Sequence, residues 1–188
     1  MKLVGAVATH YHFDHTGGMP PPPFNAMGIT VPGIKELEGL GVHCHEEDAG
    51  EIVTRNNVVK DKITKYKDGD VLNVGAITMK FIHTPGHSPG SMVVVVDGKQ
   101  QGAPGGGAGL VVSGDTIFPG SCGRLDLPDA DVERMFDSLA KCARVLPDAM
   151  IVYPGHNYNG ATSTVAHEKS GGLLKPFTKQ QFMAMNAR

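Results

Sequence analysis

The chain has 188 residues, 40% hydrophobic and 6% aromatic with no Trp, which predicts one domain with an aliphatic core rather than two ordinary domains. A formal charge of −2 and the lack of any Lys/Arg stripe argue against nucleic acid or an anionic membrane surface as a partner. Cys44, Cys122 and Cys142 are scattered and odd in number, which argues against a disulfide framework and fits a reducing, cytoplasmic setting; no run approaches the ~20 apolar residues of a membrane span.

In chain order, the apolar run Leu3–Ala8 predicts a buried strand that starts with the first residue, and ATHYHFDHTGG lies at its C-terminal end. Pro20–Pro23, Gly28, Pro32 and Gly33 predict a long irregular loop, Ile34–Leu40 a short helix stopped by Gly41, and Val42 a brief strand. Glu46–Arg55 has helical character. Asp68-Gly69-Asp70 reads as a turn, and the extended segment begun at Val71 resumes at Ile77–His83. Four consecutive valines within Ser91–Asp97 predict a strand buried on both faces. Gly98–Gly109 reads as a flexible hairpin loop, with Leu110–Ser113 the return strand ending in Gly114-Asp115. Asp131–Leu146 is the clearest helix. Val132, Met135, Phe136, Leu139 and Cys142 recur at helical spacing, acidic residues open it, and Pro147 follows its end. Met150–Tyr153 predicts another strand, ending at Pro154-Gly155-His156, and Thr178–Met185 a tail helix. No internal repeat and no domain boundary interrupts residues 1–188.

Strand after strand thus ends in a loop bearing His or Asp, the place where α/β proteins gather ligands. His10 and His12 are two apart and share a face if the strand persists, while Asp14 and His15 fall past its end. His87 in HTPGHSPGS, Asp115 in SGDTIF and His156 in YPGHNYNG come from separate loops. Imidazole with carboxylate is the donor set of zinc, iron or manganese. These seven candidates exceed what one tetrahedral ion needs, and two ions sharing a carboxylate would use them all. Any one of these histidines alone is more often a hydrogen-bonding residue; the dense HxHxDH run is not, because close imidazoles repel when protonated and gain little when neutral.

The remaining histidines have plainer readings. Alternation turns Cys44 away from His43 and His45, which are expected at the surface and not as a second metal site. His83 is expected to orient the His87 loop, and His167, on a tail helix, to be solvated. A Ser–His–Asp hydrolase lacks its GxSxG elbow here.

HxHxDH at His10–His15, TPGHSPGS around His87, GDTIF at Asp115 and PGH at His156 resemble, in order and approximate spacing, the metallo-β-lactamase fold superfamily. The resemblance spans nearly the whole chain. It implies an α/β fold, an αββα sandwich of two mixed β-sheets flanked by helices, here lacking the family's N-terminal strands. It also implies two divalent metal ions, one held by His10, His12 and His87, the other by Asp14, His15 and His156, with Asp115 bridging. SGDTIFPGSCGRLDLP and YPGHNYNGATSTVAHEK resemble the glyoxalase II and persulfide dioxygenase branch, which places Arg124 and Tyr158 against a glutathione backbone.

The function so implied is a metal-dependent hydrolase of glyoxalase II type. It cleaves a glutathione thioester or related acyl substrate with a metal-bound hydroxide, with Asp115 bridging the ions and Asp14 orienting the hydroxide. The alternative is a glutathione persulfide dioxygenase with a single iron, which keeps the same positions and fits the CGRLDLP run and short tail. A third reading is an inactive metal-binding fragment, motivated by the absent strands. The expected partner is a small glutathione conjugate, with no nucleic acid or membrane; a homo-oligomer is compatible with this sequence.

Overall fold

In the computed structural model, which describes residues 2–37, 39–56, 58–99 and 106–186, the strands form two sheets. The smaller joins β1 (Gly5–Val7), β2 (Gly41–His45) and β3 (Ile63–Tyr66) in parallel, Ala6 opposite Val42 and His43 opposite Thr64. The larger contains β4 (Val71–Val74), β5 (Ile77–His83), β6 (Met92–Val96), β7 (Leu110–Gly114), β8 (Ile151–Pro154) and β9 (Ser163–Thr164), neighbours in sequence order. It is mixed: β7 and β8 pair in parallel and the other neighbours are antiparallel. A parallel neighbour requires a crossover, which contains the long helix Val132–Val145. The helices are α1 (Phe13–Thr16), α2 (Ala49–Asn56), that crossover helix α3, α4 (Val165–Ser170) and α5 (Lys179–Asn186).

Period-two alternation sorts the apolar side chains into three layers. Val42 and Cys44 of β2 turn outward to Ala49 and Ile52 of α2. Phe81 of β5 and Met92 and Val94 of β6 turn inward to Tyr66 of β3, between the sheets. Ile82 and Val93 point the other way, onto Met135, Leu139 and Cys142 of α3 and Phe182 of α5. The order is helix, sheet, sheet, helix. Each such fully buried side chain contributes about 1.5–3 kcal/mol, so these layers fix the strand ends from which the ligand loops spring.

α3 forms as its periodicity predicts, within a residue of the expected ends, because Asp131 caps it by accepting the Arg134 N–H at 3.0 Å. The β6–β7 hairpin also forms; the central residues 100–105 of its expected loop lie outside the described residues. The first strand is shorter than expected: Leu3 and Val4 are 58% and 61% exposed, and β1 starts at Gly5. Ile34–Glu36 is a single 3-10 turn rather than a longer helix. β3 and β9 had no sequence signal, since "ITKY" carries two polar residues in four and "ST" is only two residues long.

Gly86 fixes how the His87 loop meets α3. Its φ is +144°, and a Cβ there would lie 2.5 Å from the backbone of Met135. The Gly86 carbonyl accepts the N–H of the cap residue Asp131 at 2.7 Å. Only a glycine admits the helix this closely.

Candidate metal centre

The chain passes from one sheet to the other just before the His-rich stretch. Ala8 N–H donates to the His43 carbonyl on β2, and Met92 N–H on β6 donates to the Thr9 carbonyl, both at 2.9 Å. β1 therefore stops at Val7, and His10 and His12 sit in the loop beyond it rather than on a continued strand face. α1 begins at Phe13, so Asp14 and His15 project from one helical turn. His87 comes from the loop after β5, Asp115 directly follows β7, and His156 lies two residues beyond β8.

These seven side chains meet. His12 Nδ1 is 2.8 Å from His87 Nε2, and His15 Nε2 is 3.1 Å from His156 Nε2. Asp115 lies between the two pairs, with Oδ2 at 3.3 Å from His87 Nε2 and 3.6 Å from His156 Nε2, and Oδ1 at 3.2 Å from His15 Nε2. Asp14 Oδ2 is 3.2 Å from His156 Nε2 and 3.8 Å from His15 Nε2. The ring of His10 packs 4.2 Å from that of His15 and 4.8 Å from those of His12 and His87. Three groups each offer ligand atoms within 4.8 Å of one another: His10, His12 and His87; His10, His15 and Asp115; Asp14, His15 and His156.

Electrostatics keep most of the rings neutral. Burial, reinforced by four neighbouring imidazoles, pushes His10 well below its ordinary range. Burial and His87 bring His12 down to about 4. Burial also lowers His87, against the carbonyl of Arg124 and the charge of Asp115. His15 moves the other way, because the hydrogen bond and charge of Asp115, with Asp14, outweigh its burial. The Asp115 carboxyl is likewise held low by His15 against its own burial.

The cluster fits a metal on its own chemistry. His10 Nε2 is buried and lacks a hydrogen-bond partner, a costly condition that a cation relieves. His87 Nδ1–H donates to the Arg124 carbonyl at 2.8 Å, which leaves the Nε2 lone pair facing the cluster. Ligand bonds of about 2.0–2.1 Å place neighbouring tetrahedral donors about 3.4 Å apart, close to the separations seen.

His12, Asp14, His87, Asp115 and His156 line a cleft of about 850 Å³. Arg124 and Tyr158 line it. The Arg124 guanidinium holds Asp126 through Nε and Nη2, both at 2.9 Å, and Tyr158, 71% exposed, stacks on His156 with ring centroids 4.8 Å apart. Cys122 also lines the cleft, its thiol pushed up to about 12 by burial and the charge of Asp115.

Asp48 supports the centre and had no sequence signal as a functional residue, since an acid just ahead of a helix reads as a cap. Its buried carboxylate accepts the Tyr11 N–H at 3.0 Å, the Ser88 hydroxyl at 2.7 Å and the Gly90 N–H at 2.6 Å. It thus ties the loop of His10 and His12 to the loop of His87. Asp48→Ala strands two buried N–H groups, so apo stability is expected to fall by about 2–4 kcal/mol. Metal affinity should fall about 10–100-fold, as for partners that orient metal ligands. Denaturant unfolding and metal titration measure both; losses under 0.5 kcal/mol and twofold would remove this role from Asp48.

The 43–45 stretch corrects an expectation. Cys44 does turn away, buried against α2, its thiol pushed up to about 12 by burial. His43 and His45 are not surface residues, because the larger sheet covers that face of β2. His43 is half-buried, with Nδ1 3.0 Å from the Tyr66 hydroxyl. His45 is 3% exposed and stacks on His83 at 3.7 Å, with Glu47 beside them. The two rings are nearly parallel, 12° apart, so their in-plane lone pairs do not converge, and His83 Nε2–H donates to the Pro89 carbonyl at 2.8 Å. His83 thereby anchors the His87 loop as expected. His167 is exposed on α4.

Residues 2–156 match the sequence model of the Metallo-beta-lactamase superfamily. The chain belongs to that superfamily. The hydroxyacylglutathione hydrolase of Alkalilimnicola ehrlichii is 31% identical over 175 residues, 89% of this chain and 53% of the relative. The mitochondrial persulfide dioxygenase ETHE1 of Bos taurus is 26% identical over 175 residues, 90% of this chain and 56% of the relative. The chain thus spans about half the length of these relatives. A metallo-beta-lactamase from Staphylococcus aureus superposes with a TM-score of 0.76 at 24% identity, covering 100% of this chain and 53% of that one, and shares the fold. Among the described residues, no helix is long and apolar enough to cross a membrane.

Proposed function

We propose that this metallo-beta-lactamase superfamily chain is a metal-dependent hydrolase of glyoxalase II type, acting on a glutathione thioester or a related acyl compound. The observation that carries the reading is the position of Asp115, which touches His87 on one side of the cluster and His15 and His156 on the other. His10, His12 and His87 would hold one ion, Asp14, His15 and His156 the other, with Asp115 between. When bound, two divalent ions supply Lewis acidity, lowering the pKa of a water to about 7 and polarising an acyl oxygen. The A. ehrlichii relative's name supports the thioester class.

The chain's own residues supply the rest. The Arg124 carbonyl holds His87 in one tautomer, and Asp48 keeps the two histidine loops in register. Asp14, half-exposed and 3.2 Å from His156, would accept a hydrogen bond from a water at the centre and so orient it. Arg124 and Tyr158 face the cleft where a glutathione backbone would lie. A thiol of pKa about 8.5 leaves as thiolate, so no strong general acid is required.

The second reading, a persulfide dioxygenase with one iron, is supported by the B. taurus relative. It leaves Asp14, His15 and His156 without a metal to hold. Metal analysis of the loaded chain and an anaerobic assay with a glutathione thioester separate the two. Two equivalents and thioester hydrolysis are expected. Two equivalents with no hydrolysis would overturn the proposal, and one iron with oxygen uptake on glutathione persulfide would favour the second reading.

A further inference from the structure

One wall of the cleft carries charge that the metal cluster does not use. Arg55, at the end of α2, and Asp129, in the loop before α3, both meet Tyr11, the residue between His10 and His12. The Arg55 guanidinium lies over the Tyr11 ring, 5.0 Å from its centroid, and the Tyr11 hydroxyl donates to Asp129 Oδ2 at 2.5 Å. All three line the cleft.

Arg55 and Arg124 are the only Lys or Arg side chains among the described lining, and they differ in what they have left to offer. Arg124 spends two donors, Nε and Nη2 along one edge of its guanidinium, on Asp126. Arg55 uses only Nε–H, donated to Glu51 at 2.6 Å, and among the described residues its two terminal nitrogens make no hydrogen bond. Asp129 is the one lining carboxylate outside the metal cluster. It is exposed, no described cation lies within ion-pair distance, and Tyr11 occupies a single oxygen. A guanidinium with its terminal nitrogens left to donate and a carboxylate with one oxygen left to accept, spaced by one tyrosine and outside ion-pair distance of each other, match a ligand that carries both charges close together.

We infer that Arg55 and Asp129 form the subsite for the α-amino-acid end of the substrate, Arg55 taking its carboxylate and Asp129 its ammonium. The inference rests on the reading of this cleft as a glutathione-thioester site, since the γ-glutamyl end of glutathione is such a group. A guanidinium grips a carboxylate through two parallel N–H bonds, and the buried Tyr11 fixes the wall on which both recognition groups sit. The subsite adjoins the metal cluster directly, because Tyr11 is flanked by two of its ligands.

The test is direct binding to the metal-loaded full chain, with no dependence on turnover. The probes are S-methylglutathione and S-methyl-N-acetylcysteinylglycine, which replaces the γ-glutamyl group by acetyl. The parent chain is expected to bind the first at least tenfold more tightly, because charge-assisted contacts are each of about that size. Arg55→Gln and Asp129→Asn should each erase most of that ratio; both retain bulk at exposed positions, and Asp129→Asn can still accept the Tyr11 hydroxyl. Equal binding of the two probes by the parent, no binding of either, or an unchanged ratio in the variants would overturn the subsite. Thioester hydrolysis, assayed separately, tells the two failures apart: hydrolysis with an unaltered ratio removes the subsite alone, and absent hydrolysis removes the enzyme reading.

Discussion

Asp115→Asn is expected to retain at most half the metal of the parent chain after equal dialysis, while Asp14→Asn keeps most of it. The geometry supplies the asymmetry. Asp115 is 7% exposed and contacts His15, His87 and His156, whereas Asp14 is within ion-pair distance of His15 and His156 among the described residues and is 42% exposed at its side chain. A carboxylate between two cations offsets their repulsion, and both lose a donor when it is neutralised. Asparagine preserves the shape and removes the charge, so the comparison isolates electrostatics. Asp115 also follows β7 directly, which fixes it by sheet pairing and leaves little room for another group to take its place. At a single-iron centre the ordering would persist, with one equivalent at stake rather than two. Metal stoichiometry of the three proteins is the measurement, and equal retention by Asp115→Asn and the parent would take the bridge, and the mechanism built on it, out of the proposal.

What was legible in the sequence follows from how local each signal is. α3 was readable because fourteen residues repeat one amphipathic period and end in caps. The valines of β6 were readable because a strand covered on both faces has no polar side to alternate with. β3 escaped because its pairing with β2 is long-range and its four residues have no periodicity of their own. The seven residues His10, His12, Asp14, His15, His87, Asp115 and His156 stood out because their side chains have few uses apart from ligation at that density, and the fold brings them together. That they share one centre could be expected from strand ends, but the route of His10 and His12 through a loop could not: it depends on Met92 of the other sheet capturing the Thr9 carbonyl. His45 and Asp48 were misjudged or missed for the same reason. Their burial comes from β5 and the loop after it, more than thirty residues away in sequence, and nothing in VHCHEED records which elements will cover it.

The metal-free chain is expected to lose stability steeply as pH falls from about 6.5 toward 4. Burial first of all brings His12 and His45 down to about 4 in the folded chain and holds His10 well below its ordinary range, against about 6.5 when unfolded. A histidine depressed in this way stabilises the fold above pH 6.5, and its contribution fades as pH drops through the folded value, because the unfolded chain takes up the proton first. Asp48 opposes the trend: burial lifts its carboxyl to about 6, so the folded chain binds that proton more readily between about 6 and the ordinary 3.8. His15, raised by Asp115 against its burial, acts only above 6.5 and does not enter this window. His87 and His43 are lowered by burial too, so five histidines stand against one carboxyl, and unfolding takes up about two protons or more, a slope of about 2–3 kcal/mol per pH unit or steeper. Denaturant unfolding of the apo chain at pH 7, 6, 5 and 4.5 measures it. His45→Asn, which removes none of the seven clustered side chains, should flatten the slope by about one proton, or about 1.4 kcal/mol per unit. Bound metal should keep stability level to lower pH and then be released abruptly, because protons and cation compete for the same nitrogens. A stability that is flat from pH 6.5 to 4.5 without metal would mean that these imidazoles are not held neutral by burial, and the account of why they await a cation would fall with it.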